Sequence, residues 1–280
     1  MQIDLENKNL TESEREGVLE LLDSQNHTIN NDLEQIWYLL DKVWDDMGCD
    51  NKNLDWEKIA DYYKHPVWLL NGLFIESDPL SMSIRKSIAH FIAQKNFKKI
   101  CDYGGGFGSL SKEIAALCPQ SQIFIYEPFP TQYAKSCIAT FENISFIDKL
   151  EPQTYDCLVS TDVLEHVDDV LLCFEGMLES LRYGGVALLG NCFYPVIKCH
   201  LPKNFHYRYS FKYFAKAMGA QFDGVIKGAE YVEIYTKQSK TKNPKFIIGG
   251  GASRLFFAII SMLDPLRPLA RKIKHKLKKN

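Results

Sequence analysis

Four glycines are crowded into five positions of the segment CDYGGGFGSL at residues 101–110, directly behind an apolar stretch and an acid. Their spacing is D-x-G-x-G-x-G, from Asp102 to Gly108. Glycine allows the backbone to turn tightly and to approach a ligand closely. A strand, this turn and a helical stretch at residues 109–117 therefore predict a nucleotide-type binding site.

Two phosphate-binding alternatives agree less well with this segment. A dinucleotide fold requires G-x-G-x-x-G, whose third glycine would fall on Ser109, and a P-loop requires a lysine after its glycines. The carboxylate of Asp102 would also repel a diphosphate. S-adenosylmethionine carries an ammonium and a sulfonium and no phosphate, so its charge suits this acid. A tight turn without a ligand is the remaining alternative.

The pattern of the chain changes near residue 98. Residues 1–95 read as helical, and residues 32–47 carry apolar side chains at helical spacing between Asn31 and Gly48. From residue 98 to 218, short apolar runs alternate with helical stretches, which indicates a mostly parallel sheet covered by helices. Two further apolar runs, near residues 223–227 and 230–236, predict a closing antiparallel hairpin.

Five segments, in this order, resemble those of the class I S-adenosylmethionine-dependent methyltransferases over residues 80–237. They are the glycine loop, IFIYEP, YDCLVSTDVLEHVDD, LRYGG (with Tyr183 where proline is usual) and HYRYSFKYFAKAMGAQF. The resemblance implies an α/β, Rossmann-like three-layer sandwich with a mostly parallel seven-stranded sheet. We expect a helical N-terminal extension or lid at residues 1–80, the methyltransferase domain at 81–240, and a linker with a basic amphipathic helical tail at 241–280.

The resemblance also implies the cofactor, S-adenosyl-L-methionine, with S-adenosyl-L-homocysteine as product. The glycine loop would wrap the methionine part, Glu127 would bind the ribose hydroxyls, and Asp148 would meet the adenine amino group. Residues 161–163 would border the cofactor. The predicted cofactor-binding residues are Asp102, Gly104, Gly105, Gly106, Glu127, Pro128, Asp148, Thr161, Asp162 and Val163.

Two histidines, His166 and His206, are candidates for catalysis. Methyl transfer depends on holding the nucleophile and the methyl group in line, and it needs a general base only if the acceptor is a hydroxyl or a protonated amine. His166 follows the fourth strand, where the acceptor would approach, and histidine ordinarily titrates near neutral pH. The alternative is that His166 shapes the cofactor pocket.

The acceptor is expected beyond the fifth strand, because ligands of open α/β sheets bind outside the carboxyl ends of the strands. The candidate acceptor-binding residues there are His206, Tyr207, Arg208 and Tyr209. Arg208 would suit a phosphate or carboxylate on the acceptor, and packing of the loop is the alternative role. Aromatic residues of the N-terminal extension would either cover the pocket as a lid or pack the core. They are Tyr62, Tyr63, His65, Trp68 and Phe74.

No metal is expected, although Asp162, Glu165 and His166 form an alternative ligand set. Their D-x-x-E-H spacing brings them to one face of a helical turn, and some family members hold a divalent ion with E-x-x-E-H. His200 or His206 would add a further ligand. Similar segments occur in relatives that need no metal.

The composition is that of an ordinary globular protein, 46% hydrophobic and 24% charged with a net charge of −2. Residues 1–60 carry fifteen acids and five bases, whereas residues 254–280 carry eight bases and one acid. The tail would therefore bind an anionic membrane weakly or dock on the acidic N-terminus. Nucleic acid is not an expected partner, because the core lacks a basic stripe with interleaved aromatic residues and the tetrad [DNS]-P-P-[YF].

Eight cysteines occur without a C-x-x-C pair and are interpreted as free thiols. Together with the lack of a signal-peptide pattern, they predict a cytoplasmic protein, or one peripheral to the inner face of the membrane.

We expect methyl transfer to oxygen or nitrogen of a small molecule, such as a sugar or a cell-envelope or surface-glycan precursor. Two alternatives stay open. One is a metal-assisted O-methyltransferase that acts on a quinone- or lipid-type hydroxyl. The other, from a different class, is a non-catalytic S-adenosylmethionine-binding scaffold or regulator, against which the intact acids and glycines of the cofactor site argue.

Overall fold

The computed structural model describes residues 1, 3–243 and 250–263. Five helices precede the sheet, as the sequence predicts. They are α1 (Glu12–Asp23), α2 (Asp32–Asp46), α3 (Trp56–Lys64), α4 (Pro66–Ser77) and α5 (Pro79–Ala93).

Local sequence determines where these helices begin. Thr11 and Glu14 form a capping box, in which each side chain accepts the backbone N–H of the other residue. His65 ends α3 and caps α4, and Asp78 ends α4 and caps α5. A proline follows each of these two caps, where its fixed φ suits the first helical turn. Helices α3, α4 and α5 therefore follow one another almost without connecting residues.

Seven strands form one sheet in the order β3–β2–β1–β4–β5–β7–β6. The strands are β1 (Lys99–Tyr103), β2 (Gln122–Tyr126), β3 (Ile144–Ile147), β4 (Tyr155–Thr161), β5 (Leu181–Gly190), β6 (Ala220–Ile226) and β7 (Ala229–Lys237). Strands β1 to β5 pair in parallel, and β7 runs antiparallel to both β5 and β6. The predicted Rossmann-like sandwich is confirmed, and the predicted closing hairpin is β6–β7.

Helices that connect the strands along the chain pack on the sheet. They are α6 (Ser109–Leu117), α7 (Gln132–Ile138), α8 (Val170–Ser180) and α9 (Tyr207–Ala217). Strand β4 is buried along almost its whole length, as expected of a central parallel strand covered on both faces. The carboxyl ends of β1, β2, β4 and β5 meet at one edge of the sheet, where the sequence predicts the functional residues.

The segment LRYGG, which resembles the helix-to-strand turn of the family, is part of β5. Leu181 already pairs with Tyr155, and the register then shifts. Gly184 has φ 73°, and a Cβ on Gly185 would lie 2.8 Å from the carbonyl oxygen of Arg182. The turn is therefore a local irregularity inside the strand, which only glycine accommodates.

The N-terminal extension shares a hydrophobic core with loops of the sheet domain. Its buried side chains pack with Phe107, Tyr133 and Cys199. The approach is closest at Gly72, where a Cβ would lie 2.4 Å from the Phe107 ring. The division of the chain near residue 80 stays a prediction, but the packing across it is continuous.

A single carboxylate reinforces this junction. Glu76, on α4, accepts hydrogen bonds from Lys8, Ser109, Lys112 and Tyr133, at 2.8 to 3.2 Å. These donors belong to the N-terminal segment, α6 and α7, so one side chain joins the extension to the helices beside the glycine loop.

The last described helix, α10 (Gly250–Leu263), lies against α9. Phe257 contacts Tyr209, with ring centroids 6.2 Å apart, whereas Leu255 and Phe256 are 65% and 55% exposed. No helix among the described residues combines the length and apolar character that crossing a bilayer requires. Of the predicted linker and basic tail, residues 244–249 and 264–280 lie outside the described residues.

Candidate functional site

The glycine loop turns away from β1 through left-handed backbone conformations. Gly104, Gly106 and Gly108 have φ of 74°, 52° and 71°. A Cβ on Gly104 would lie 2.5 Å from the side chain of Val163, whereas nothing lies within 4 Å of a Cβ on Gly106. Gly104 therefore packs against the loop after β4, and Gly106 faces open space, as expected of the position that a ligand approaches.

Glu127, at the end of β2, is held against this loop. One carboxylate oxygen accepts the N–H of Gly106 at 3.1 Å, and the other accepts the N–H of Phe129 at 3.2 Å. Burial raises the pKa of Glu127, and the two backbone donors oppose that rise. The predicted ribose-binding acid thus lies where the sequence places it, beside the glycine turn.

Asp102 lies beneath the loop. It is 3% exposed, accepts a hydrogen bond from Ser111 at 2.7 Å, and would contact a Cβ on Gly105 at 2.8 Å. Burial raises the pKa of Asp102 to about 6, which Ser111 and Arg85 partly offset. Asp102 therefore supports the turn and supplies negative charge under it, and its direct contact with the cofactor stays a prediction.

Arg85 is a site residue that sequence reasoning missed. Its positive charge acts on both Asp102 and Asp162, lowering the pKa of each. Arg85 lies on α5, and its charge acts on acids at the ends of β1 and β4, so its guanidinium lies near that edge of the sheet. The sequence signal that points to Arg85 is the presence of a basic residue on the helix before the glycine loop. A guanidinium here could bind the carboxylate of the methionine part.

Asp162 lies at the tip of β4 in a strained backbone conformation. Its φ is 55°, unusual for a residue other than glycine, and its N–H donates to the Gly190 carbonyl at 2.7 Å. The side chain is open to solvent, yet the surrounding protein raises the pKa of its carboxyl by desolvation. Asp162 therefore lies in a recess between β4 and β5.

The other predicted cofactor residues lie around this edge of the sheet. Thr161 ends β4 and pairs with Gly190. Pro128 follows Glu127, and Asp148 follows β3 with an exposed side chain. Their roles toward the cofactor stay predictions.

His166 is a weak proton acceptor in this structure. Its ring is edge-on to Tyr63, Trp68 and His200, at centroid distances of 6.1, 6.0 and 4.8 Å. Burial and the neighbouring His200 lower the pKa of His166 to about 3, so the ring is neutral at physiological pH. A base this weak has little driving force to take a proton.

Glu165 is fully buried beside these rings. One carboxylate oxygen accepts the N–H of Cys192 at 2.8 Å, and the other is buried without a hydrogen-bond partner. Burial raises the pKa of Glu165, and the nearby carboxyl of Asp162 raises it further. The alternative metal set Asp162–Glu165–His166 stays a prediction, and the donor atoms that converge here are those of Glu165, Cys192 and His200.

The predicted acceptor residues 206–209 lie at the start of α9 and contact α10. Nδ1 of His206 is 2.8 Å from the Ser253 hydroxyl, and burial lowers the pKa of His206 to about 4. The ring of Tyr207 lies 4.0 Å from that of His206. The guanidinium of Arg208 lies 4.7 to 4.9 Å from three aromatic rings, those of Tyr194, Tyr209 and Phe257. These contacts favour the packing role for Arg208.

The predicted lid residues divide between core and site. Tyr62 and Phe74 are buried in the shared core, and His65 accepts the N–H of Val67 as a helix cap. Tyr63 and Trp68 pack against the same core and also form a wall with His166, and Nε1 of Trp68 is buried without a partner. An aromatic wall with buried polar atoms is a typical lining for a small organic ligand.

The strand order, the glycine turn and the acid after β2 are those of the Rossmann-like fold that the sequence predicts. Residues 81–212 match the model of a family described as a methyltransferase domain. The matched stretch of 132 residues, a little under half of the 280-residue chain, is therefore similar to a methyltransferase domain. Comparison with curated proteins gives no match.

Several solved structures are similar to the chain. One is human N-acetylserotonin methyltransferase in complex with S-adenosylmethionine, at 19% identity, covering 73% of this chain and 67% of that one, with a TM-score of 0.48. Mitomycin 7-O-methyltransferase is similar at 15% identity, with coverage of 73% and 67% and a TM-score of 0.49. CurJ carbon methyltransferase is similar at 13% identity, with coverage of 51% and 49% and a TM-score of 0.40. The chain thus spans about half to two thirds of these proteins.

Proposed function

We propose that the protein transfers the methyl group of S-adenosylmethionine to an oxygen or nitrogen atom of a small molecule, with a hydroxyl as the first choice. The observation that carries this proposal is the glycine turn. Its open face at Gly106 is hydrogen-bonded to Glu127 and underlain by Asp102, so a cationic ligand rather than a phosphate suits it.

The chain's own residues would hold the two reactants in line. Bound S-adenosylmethionine supplies an electrophilic methyl group on its sulfonium. The loop and Glu127 would fix the cofactor, while the aromatic wall on the other side of β4 would orient the acceptor. Well-oriented reactants gain effective molarities on the order of 10⁵ M or more, so positioning accounts for much of such catalysis.

A hydroxyl acceptor needs a group that removes its proton. Asp162 suits this role better than His166, because desolvation raises the pKa of its carboxyl toward neutrality while burial lowers that of His166 far below it. Asp162 is also open to solvent in its recess and lies at the strained tip of β4. We therefore assign the role of general base to Asp162, and we assign His166 to the aromatic wall.

The wall of Tyr63, Trp68 and His166 favours an acceptor with a planar or ring-shaped part. A sugar or a cell-envelope precursor meets this requirement, because sugar rings and flat aromatic compounds both pack on aromatic faces. A turnover assay with a panel of phenols, quinols, sugars and sugar phosphates would identify the class. The readout is a mass gain of one methyl group and formation of S-adenosylhomocysteine.

The cofactor assignment has its own test. Glu127→Ala should weaken S-adenosylmethionine binding by about 1–3 kcal/mol, because a charged hydrogen-bond acceptor is lost. Glu142→Gln, at an exposed position, is the control. Binding by the native protein without any methylated product across the panel would favour the non-catalytic scaffold instead.

We further propose weak contact with an anionic membrane surface. Leu255 and Phe256 are exposed on α10, and the sequence that follows them is rich in bases. An exposed apolar face next to basic residues is the pattern of an interfacial anchor. α10 lies beside the predicted acceptor residues of α9, so this contact would bring the site near a membrane-derived acceptor.

A further inference from the structure

Three donor groups of different chemistry converge beside the proposed acceptor site. A carboxylate oxygen of Glu165, Sγ of Cys192 and a ring nitrogen of His200 all lie within 4.8 Å of one another. The three residues come from separate segments, the loop after β4, the end of β5 and the loop before α9. Their meeting point is therefore a product of the fold rather than of local sequence spacing.

Two of the three side chains are prepared to donate electron pairs. Nδ1 of His200 lies 2.7 Å from the carbonyl oxygen of Tyr194, so Nδ1 carries the proton and Nε2 has a free lone pair. Fixing one ring nitrogen of a histidine through a backbone carbonyl is the usual outer support of a metal ligand. Glu165 is 0% exposed, and its second carboxylate oxygen is buried without a partner.

An unpartnered buried carboxylate oxygen is costly, because the group has lost water without gaining a hydrogen bond. Burial, Asp162 and backbone donors all act on the Glu165 carboxyl, and Asp162 acts in the unfavourable direction. A cation would satisfy the free oxygen and relieve the repulsion between the two carboxyls.

We propose that Glu165, Cys192 and His200 form a binding site for a zinc-class divalent cation. Thiolate, imidazole and carboxylate are the donors that zinc accepts, whereas magnesium and calcium prefer oxygen alone. Donor atoms around tetrahedral zinc are about 3.3–3.8 Å apart. The present separations of up to 4.8 Å need to shorten by about 1 Å, within the reach of side-chain rotation.

The site differs from the Asp162–Glu165–His166 set that the sequence spacing suggests. His166 directs Nδ1 to the Cys199 carbonyl at 3.2 Å and belongs to the aromatic wall. The cation would join the loops that follow β4 and β5, which carry the wall and the recess of Asp162. Its binding can be measured without the methyl-transfer reaction, so its failure would leave the proposed function standing.

The test is a titration of the chelator-treated full chain with Co²⁺ alone, without cofactor or acceptor. We expect the visible absorption of tetrahedral cobalt and a near-ultraviolet thiolate-to-cobalt charge-transfer band, both removed by competition with Zn²⁺. Cys192→Ser should abolish the charge-transfer band and weaken Co²⁺ binding by about tenfold or more. Loss of a group that only supports a ligand already lowers metal affinity by about tenfold, so loss of a ligand should lower it at least as much. Cys118→Ser, at another partly buried thiol, is the matched control and should change neither.

Two further variants keep the test decisive. Glu165→Gln and His200→Gln should each weaken Co²⁺ binding by about tenfold or more. If Glu165→Gln fails to fold, Cys192→Ser and His200→Gln still decide the question, because neither removes the buried carboxylate. The proposal is overturned if the native protein binds Co²⁺ no more tightly than Cys192→Ser, or if the charge-transfer band survives in that variant.

Discussion

The two sides of the sheet edge are built in different ways. The cofactor side consists of backbone and acids close together in sequence, between residues 102 and 108 and between 126 and 129. The proposed acceptor side consists of side chains from distant segments, among them Tyr63, Trp68 and His166. The geometry of the cofactor side is set by backbone φ angles, and the geometry of the proposed acceptor side is set by the packing of side chains.

This difference indicates which part of the protein determines specificity for the acceptor and which part determines specificity for the cofactor. A turn built from glycines in left-handed conformations accepts few changes, because other residues adopt these conformations only with strain. A wall made of side chains changes shape with every substitution while the fold stays the same. We therefore expect the acceptor to be chosen by α3, α4 and the loops after β4 and β5, and the cofactor by the loop after β1.

The largest effect should come from the proposed base. Asp162→Asn should lower kcat by about 100-fold or more, the usual contribution of general-base catalysis, whereas His166→Gln should lower it by less than about tenfold. The base must be ionised to act. Since desolvation raises its pKa, activity should fall on acidification at a higher pH than an ordinary aspartate would give. Steady-state kinetics across pH measure this, and the reverse ranking of the two variants would return the base to His166.

The next effect concerns the cofactor side. Gly104→Ala combines φ 74° with a Cβ placed 2.5 Å from Val163, so S-adenosylmethionine binding should weaken by about 10–100-fold. Gly106→Ala carries the left-handed strain without a clash and should weaken it less. Gly176→Ala should leave S-adenosylmethionine binding unchanged, because Gly176 lies within α8 and nothing is within 4 Å of the added Cβ. Calorimetric titration of the three variants would contradict a backbone-built cradle if Gly104→Ala bound normally.

A smaller effect is expected at Glu76, the carboxylate that joins the N-terminal extension to the helices beside the glycine loop. Glu76→Gln should lower the free energy of unfolding by about 1–2 kcal/mol, because a partly buried carboxylate loses its charge toward two lysines. Burial opposes ionisation of Glu76, but Lys112 and Lys8 prevail and hold its pKa below the ordinary value.

The sign of the pH dependence follows from that depressed pKa. The stabilisation is fully present above the pKa of Glu76 in the unfolded chain and is lost as pH falls through the lower pKa of the folded protein. Native and variant proteins should therefore converge in stability on acidification. Denaturant titrations at several pH values test this, with exposed Glu142→Gln as the control, and a constant difference at every pH would exclude the ionic contribution.

The smallest effect concerns the membrane. Replacing exposed Leu255 and Phe256 by serine should weaken binding to anionic vesicles by up to about tenfold and leave activity on a dissolved acceptor intact. Leu80→Ser, at another exposed leucine, is the control. Co-sedimentation with phosphatidylglycerol and phosphatidylcholine vesicles measures the difference, and equal binding by variant and native protein would remove the membrane from the proposed function.

The sequence predicts the strand order and the glycine turn well, because their information is local. The glycine spacing, the acid after β2 and the alternation of strands and helices each depend on neighbouring residues. It predicts the acceptor side poorly, because convergence of distant side chains is decided by packing. Cys192 carries no motif of its own, and the low pKa of His166 follows from burial that no spacing reveals. Arg85, near the glycine loop, likewise carries no motif.

The close approach of Gly72 to Phe107 limits how this protein can be altered. Phe107 belongs to the glycine loop, while Gly72 belongs to α4, the helix that also carries the wall residue Trp68. A chimera that exchanges the extension for that of a relative would have to exchange its counterpart of Phe107 as well. New acceptors are therefore more accessible through point changes in the wall than by transplanting the whole extension.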